Sequence, residues 1–440
     1  MNLDKNKNLR MMGECITMSE KKNKERRRME RAQKEEPKVN KISDVKMAYI
    51  MYGKKVFVIP IIIAIILGAV IWGIVYNTRK NNAPQETADN QKEQINYIWG
   101  EIKPGKKNTN NYTMVTSSDG IQVPVPTGYT ASSASDENSV NGGFVIYEGT
   151  DAVTDSNKWD AQCNRNQYVW IPIADISDMY WRNQTTGKKY GTYYNFTESA
   201  YTKGANRSYE PQTTSYDIQS TYLTQYLNGM TREDFLMEME IDFDKMLNSV
   251  ATYGGYYIGR YQTGDLAQAT PVVKRMNTDI GSQTWYTMWK KSLRISTGGA
   301  NVHMIWGIQW DETLKWLIDT GEKTYVEIAS DSTSWGNYRN NSFTYYTNTS
   351  KSTATKAANR STRIPSGAYE GANANNVFDL AGNVYHWTLE SNGSGTGGYR
   401  CLRGGNYDGY GSDDPAAYRG NYYPYVSYVN FGLRCALYIK

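Results

Sequence analysis

The sequence predicts an α+β domain with long loops, carried behind a single transmembrane helix. Three observations predict it. Val56–Tyr76 is a run of 21 residues without a charge. Short strand-like runs bounded by Gly, Pro, Asn and Ser recur from residue 121 onward. Only two stretches have clear helical periodicity.

The charge-free run, VFVIPIIIAIILGAVIWGIVY, matches the length needed to span a hydrocarbon core, about 20 apolar residues. Pro60 lies in its first turns, where a missing N–H costs least. Residues 1–55 carry 16 Lys and Arg against 8 Asp and Glu, a net +8. The whole chain is +5, so the remainder is −3. Basic residues beside a span stay on the cytoplasmic side. The expected order is a basic cytoplasmic tail (1–55), a transmembrane helix (56–76), a polar linker (77–96) and an extracytoplasmic domain (97–440). The basic balance belongs to the tail, so nucleic acid is not an expected partner. The run ends in Tyr76-Asn77-Thr78-Arg79-Lys80 and not in small residues, which favours an uncleaved anchor over a signal peptide.

Cys15 lies in the tail, and Cys163, Cys401 and Cys435 lie beyond the span. Three thiols cannot make a disulfide framework, so a hydrophobic core must hold the domain. One pair could form, and Cys401 with Cys435 is expected because both sit in strand-like segments. No two cysteines have zinc-site spacing.

The strand-like runs are Ile121–Val125, Gly143–Tyr147, Tyr168–Ile173 and Tyr256–Tyr261. The first helix, Thr231–Val250, starts with a capping-box-like Thr231 and Asp234. Its Phe235, Met239, Phe243, Met246, Leu247 and Val250 fall on one face, which reads as core. The second helix covers about Asp311–Thr320, with Leu314 and Leu317 inward. Residues 178–228 and 331–363 are rich in Tyr, Ser, Thr and Asn and read as surface insertions.

The usual catalytic constellations are absent. The only histidines, His303 and His386, are far apart and in no local signature. There is no Walker loop, dinucleotide fingerprint or zinc-protease motif. Asp413-Asp414 reads as a solvated turn.

The informative stretch is Asn376–Lys440. It carries NVFDLAGNVYHWTLE at 376–390, CLRGGNY at 401–407 and NFGLRCALYIK at 430–440. This resembles the formylglycine-generating, sulfatase-modifying factor family. Weaker echoes are GGYYIGRYQTG at 254–264, WGIQWDETLKW at 306–316, VPVPTGY at 123–129 and QYVWIPI at 167–173. The resemblance covers roughly residues 120–440 and implies a C-type-lectin-like α+β fold. In the family's enzymes, two cysteines after the double glycine bind copper and oxidise a substrate cysteine. Soft thiolates are the ligands that copper(I) prefers. The matching positions are Gly409 and Asp414, so no catalytic residue carries over and a non-enzyme is expected. The alternative is a formylglycine-generating oxidoreductase. Cys435 matches a structural family cysteine. The family's calcium ligands fall on Asp379, Gly382, Val384 and His386. Calcium prefers oxygen donors, and His386 stands in place of a glutamate, so any calcium site would be weak.

Between the RGG and FGLR motifs, residues 406–430 hold seven tyrosines and no Lys, Glu, Gln, Met or Trp. Tyr, Ser, Gly and Asn are the residues of antibody contact loops: tyrosine gives large amphipathic area at low entropy cost. The segment is also similar to the variable region of proteins diversified by retroelements. That resemblance implies randomised adenines in Asn-type codons, whose products omit those five residues. The expected contact residues are Asn406, Tyr407, Asp408, Tyr410, Ser412, Asp413, Asp414, Tyr418, Asn421, Tyr422, Tyr423, Tyr425, Ser427, Tyr428 and Asn430. Gly404, Gly405, Phe431, Gly432 and Arg434 would be framework. The expected partner is an extracellular ligand, protein or carbohydrate, met by a surface-displayed binding protein.

Overall fold

The strand-like runs pair in the order that their patterning allows. A computed structural model describes residues 101–185, 187–204, 220–391 and 399–440. All lie within one compact unit, Asn90–Lys440. The expected membrane run, Val56–Tyr76, and the linker fall outside the described residues. Among the described residues no helix is long and apolar enough to cross a membrane.

Strands β1 (Tyr112–Thr116) and β2 (Gln122–Pro126) form a hairpin. Next come β3 (Tyr129–Ala131), β4 (Val145–Glu148), helix α1 (Lys158–Asn164) and β5 (Gln167–Pro172). The three strands run antiparallel. Val145, Ile146, Tyr147, Tyr168, Val169 and Ile171 are all buried, so this sheet is covered on both faces. Two small hairpins follow: β6 (Tyr180–Arg182) with β7 (Lys189–Gly191), then β8 (Tyr193–Phe196) with β9 (Tyr201–Gly204).

After α2 (Ser220–Tyr226) comes α3 (Arg232–Tyr253), the longest described helix. The Thr231 hydroxyl accepts the Asp234 N–H (3.1 Å) and caps its start. Gly254, at φ 82°, closes its end in the left-handed region. All six residues of the expected inward stripe are buried. Strand β10 (Gly255–Gly259) leads to α4 (Trp285–Ser292), β11 (Ala300–Met304), α5 (Gly307–Asp319) and α6 (Tyr325–Ala329). Helix α5 begins a turn before its expected start. The Trp306 N–H donates to the Gln309 side chain there (3.0 Å).

A hairpin of β12 (Phe343–Tyr346) and β13 (Thr353–Lys356) precedes the short pair β14 (Asn373–Ala374) and β15 (Val377–Phe378). The chain ends with β16 (Tyr385–Ser391), β17 (Arg400–Arg403), β18 (Arg419–Tyr422), β19 (Phe431–Leu433) and β20 (Cys435–Ile439). A six-stranded sheet has the order β11-β20-β10-β5-β4-β3, and a four-stranded sheet has the order β18-β17-β16-β19. The last strand thus lies inside the larger sheet, with Leu437 opposite both Tyr257 and Val302. Trp285, Trp289, Trp306, Trp310 and Trp387 fill the core.

Three expectations need correction. Cys401 and Cys435 are unbridged and buried, as is Cys163. Cys401 belongs to the four-stranded sheet and Cys435 to the six-stranded one. The Cys435 thiol accepts instead from the Thr263 hydroxyl (3.3 Å). Residues 331–363 are not all surface: Trp335, Asn337 and Tyr338 are buried anchors. The stretch 178–204 is likewise anchored, through buried Met179 and Tyr194.

Candidate functional site

The segment between β17 and β19 is built on its first two residues. Gly404 and Gly405 have φ of 86° and 74°. A Cβ on Gly405 would lie 2.2 Å from the Asp414 carbonyl oxygen, so only glycine lets the chain fold back there. The buried Tyr338 hydroxyl bridges that fold, 3.0 Å from the Gly404 carbonyl and 2.8 Å from the Asp414 carbonyl.

Donors and acceptors from outside the segment hold its backbone. Arg403 donates to the carbonyls of Tyr418 (2.9 Å) and Ala417 (3.3 Å). The Trp310 indole donates to Ala416 (3.1 Å), and the Ala416 N–H donates to the Ser332 hydroxyl (2.9 Å). The Trp285 and Ser282 N–H groups donate to Pro424 and Tyr428, each at 3.0 Å. The Arg363 guanidinium donates to Val429 (2.9 Å). Arg403 is itself fixed by buried Asp311 (2.7 Å), which also takes Arg419 and the Tyr194 N–H (2.9 Å). Charge-assisted bonds in so little water make a stiff frame.

The side chains mostly face outward. Asp408, Tyr410, Ser412, Asp413, Asn421, Ser427 and Tyr428 are exposed. Tyr407, Asp414, Tyr418, Tyr422, Tyr423, Tyr425 and Asn430 are half-buried. Asn406 departs from its expected role: it is only 4% exposed, and its side chain caps the Asp408 N–H (2.8 Å). It is framework, because the turn needs its acceptor.

The tyrosines come together in one array. Tyr423 stacks on Tyr425 (centroids 5.3 Å), and Tyr425 stacks on Tyr222 of α2 (4.6 Å). Tyr222 continues the array to Tyr286 (6.4 Å). The Tyr399 hydroxyl meets that of Tyr423 at 2.9 Å. Tyr422 and Tyr428 pack edge-on against Phe431 (5.3 and 5.2 Å). Tyr222, Tyr286 and Tyr399 were not in the expected set. Their signal was present in the tyrosine-rich composition, but nothing local placed them beside residues 423–425.

Gly409 and Asp414 do come together. A Cβ on Gly409 would stand 2.9 Å from Asp414 Oδ2. That carboxylate is not in a solvated turn: it is half-buried and accepts a hydrogen bond from the Tyr385 hydroxyl. Burial pushes its pKa up, against the lowering effect of Tyr385. These two positions bring no thiolate to the niche, so the donor set does not suit copper(I).

Residues 312–439 match the sulfatase-modifying factor enzyme 1-like domain. The match takes in the C-terminal part of α5, the double glycine, residues 406–430 and all of β20. Among solved structures, the chain is similar to the crystal structure of CarF, at 12% identity and a TM-score of 0.27. That likeness covers 42% of this chain and 87% of that one. It is also similar to Treponema denticola variable protein 1, at 20% identity and a TM-score of 0.20. There it covers 31% of this chain and only 47% of that one. No curated protein matches the chain.

The sulfatase-modifying factor resemblance also implied calcium ligands. The Asp379 carboxylate accepts the Gly367 N–H (2.7 Å), and the Asp379 carbonyl accepts from Arg434 (3.1 Å). Burial raises the Asp379 pKa to about 6, opposed by the Gly367 N–H and then by Arg434. The Val384 carbonyl accepts from Gln262 (3.3 Å). Gly382 turns the chain at φ 73°, where a Cβ would meet the Asn337 carbonyl oxygen at 2.5 Å. His386 is wholly buried, its ring 5.0 Å from Trp310, and burial holds its pKa far below the usual value. A neutral imidazole in the place of a carboxylate is a poor calcium ligand, so His386 is the member of the four that fits calcium least, whereas Asp379 Oδ1 is buried without a hydrogen-bond partner. Among the described residues no group of three or more His, Cys, Asp or Glu could hold a metal ion.

Proposed function

We propose that this chain is a membrane-anchored, surface-displayed ligand-binding protein built on a sulfatase-modifying-factor-like scaffold. Its contact surface is the exposed part of residues 407–430, and its ligand is an extracellular protein or carbohydrate. One observation carries the reading. The backbone of this segment is tied to groups outside it, while its side chains point outward. Such a frame tolerates many side chains without losing its shape, and a pre-shaped tyrosine surface loses little entropy on binding. The thiol-free pair Gly409 and Asp414 supports the same reading against the oxidoreductase alternative.

The direct test displays the full chain against arrays of glycans and extracellular proteins. Tyr428→Ala and Tyr423→Ala should weaken whatever ligand is captured by about tenfold or more, the scale of a contact hot spot. Unchanged affinity in both variants would remove this face from the function.

We propose further that this segment is diversified. A near-repeat of its coding DNA, differing mainly at adenines and lying beside a reverse transcriptase gene, should exist in the source genome. A complete genome without such a repeat would leave only a fixed tyrosine-rich loop.

A further inference from the structure

Beside the tyrosine array lies a second feature of different chemistry. A depression of about 550 Å³ separates the β8–β9 hairpin and the end of α6 from residues 412–419. Tyr194, Phe196 and Glu198 line the hairpin side; Asp413, Tyr418 and Arg419 line the other. One wall thus comes from the inserted stretch and the other from the contact segment.

The hairpin wall is firmly placed. The Tyr194 N–H donates to buried Asp311 (2.9 Å), and the Tyr194 ring packs edge-on against Tyr201 (5.4 Å). The same Asp311 accepts from Arg419 on the opposite wall. One buried carboxylate therefore ties both sides together.

Its charges are not balanced. Arg419 is engaged by Asp311 and Glu390 (3.2 Å) and lies 5.3 Å from the Tyr193 ring centroid. Glu198 and Asp413 are exposed, and neither forms an ion pair among the described residues. The depression thus presents carboxylates, aromatic rings and no unengaged cation.

We propose that this depression binds a lysine or arginine side chain of a protein ligand. The proposal rests on the reading that this end of the domain is a contact surface, and it names the chemistry of one part of it. A guanidinium or ammonium group can pair with Glu198 and Asp413 while its face or stem lies on Tyr418 and Phe196. Anionic ligands are repelled by the same rim.

The test uses the full chain in lipid nanodiscs and three acetylated, amidated pentapeptides with arginine, citrulline or glutamate at the centre, flanked by glycine and serine. Fluorescence anisotropy reads the affinities. The arginine peptide should bind at least tenfold more tightly than the citrulline peptide, and the glutamate peptide should not bind. Glu198→Gln/Asp413→Asn should abolish the preference, and the distant control Asp151→Asn should keep it. Equal affinity for the arginine and citrulline peptides, no binding at all, or a preference that survives the double variant would each overturn the proposal. Failure here is distinguishable from failure of the wider reading. If Tyr428→Ala and Tyr423→Ala leave every captured ligand bound while the arginine preference holds, the depression stands and the tyrosine face falls. The reverse pattern keeps the tyrosine face and removes the depression.

Discussion

Two neighbouring carboxylates on α5 sit in different surroundings. Asp311 is surrounded by Arg403, Arg419 and the Tyr194 N–H, so its charge is matched in the core. Glu312 is buried, with Lys315 one turn along the helix and the Tyr194 side chain beside it. Burial raises its pKa from 4.5 to about 7, against the weaker lowering effects of Lys315 and Tyr194. The folded chain therefore holds a proton between those values that the unfolded chain releases. Stability contributed by this group is present below pH 4.5, falls as pH rises towards 7, and stays lost above that. The loss amounts to roughly 3 kcal/mol by linkage. Glu312→Gln keeps an acceptor for Tyr194 without the charge. Its denaturant-unfolding free energy should gain on wild type by about 1–3 kcal/mol between pH 5 and pH 8. Parallel curves for the two proteins would show that Glu312 titrates normally. The residue scale is also where sequence reading was most uneven. Gly409 and Asp414 were paired by motif alone, and they do face each other. Asn406 falls among the expected contacts by residue type, yet the turn needs its side chain inward.

Elements were legible wherever local pattern and tertiary role agree. Helix α3 has a cap at Thr231, a stripe of six buried residues and a glycine stop at Gly254, and all of these can be read in order. The four expected strands correspond to β2, β4, β5 and β10 within two residues at each end. Helix α4 was missed because Trp285, Tyr286 and Trp289 are β-favouring residues that tertiary packing overrides. The stretch 331–363 looked like surface because single anchors, Trp335 and Tyr338, sit among Ser, Thr and Asn. A composition window averages such anchors away. The β8–β9 hairpin was hidden for the same reason, and with it the second wall of the depression. The array from Tyr423 through Tyr425 to Tyr222 spans about 200 residues of sequence. No periodicity connects positions so far apart.

At the scale of the whole domain, the C terminus is the best-supported part of the chain. β20 lies between β10 and β11 in the larger sheet, and β16 to β19 make the smaller one. The segment between β17 and β19 supplies the edge strand β18 of the smaller sheet and loops on either side of it between framework strands. That arrangement lets side chains on the outside vary while the core beneath them stays fixed. The central claim is that this face makes contacts and does not catalyse cysteine oxidation. It is tested most directly by incubating the purified full chain with copper(I), oxygen and a cysteine-containing peptide and measuring peptide oxidation by mass spectrometry. The account predicts no copper-dependent turnover. Turnover that is lost when Cys401 or Cys435 is replaced by serine would contradict it.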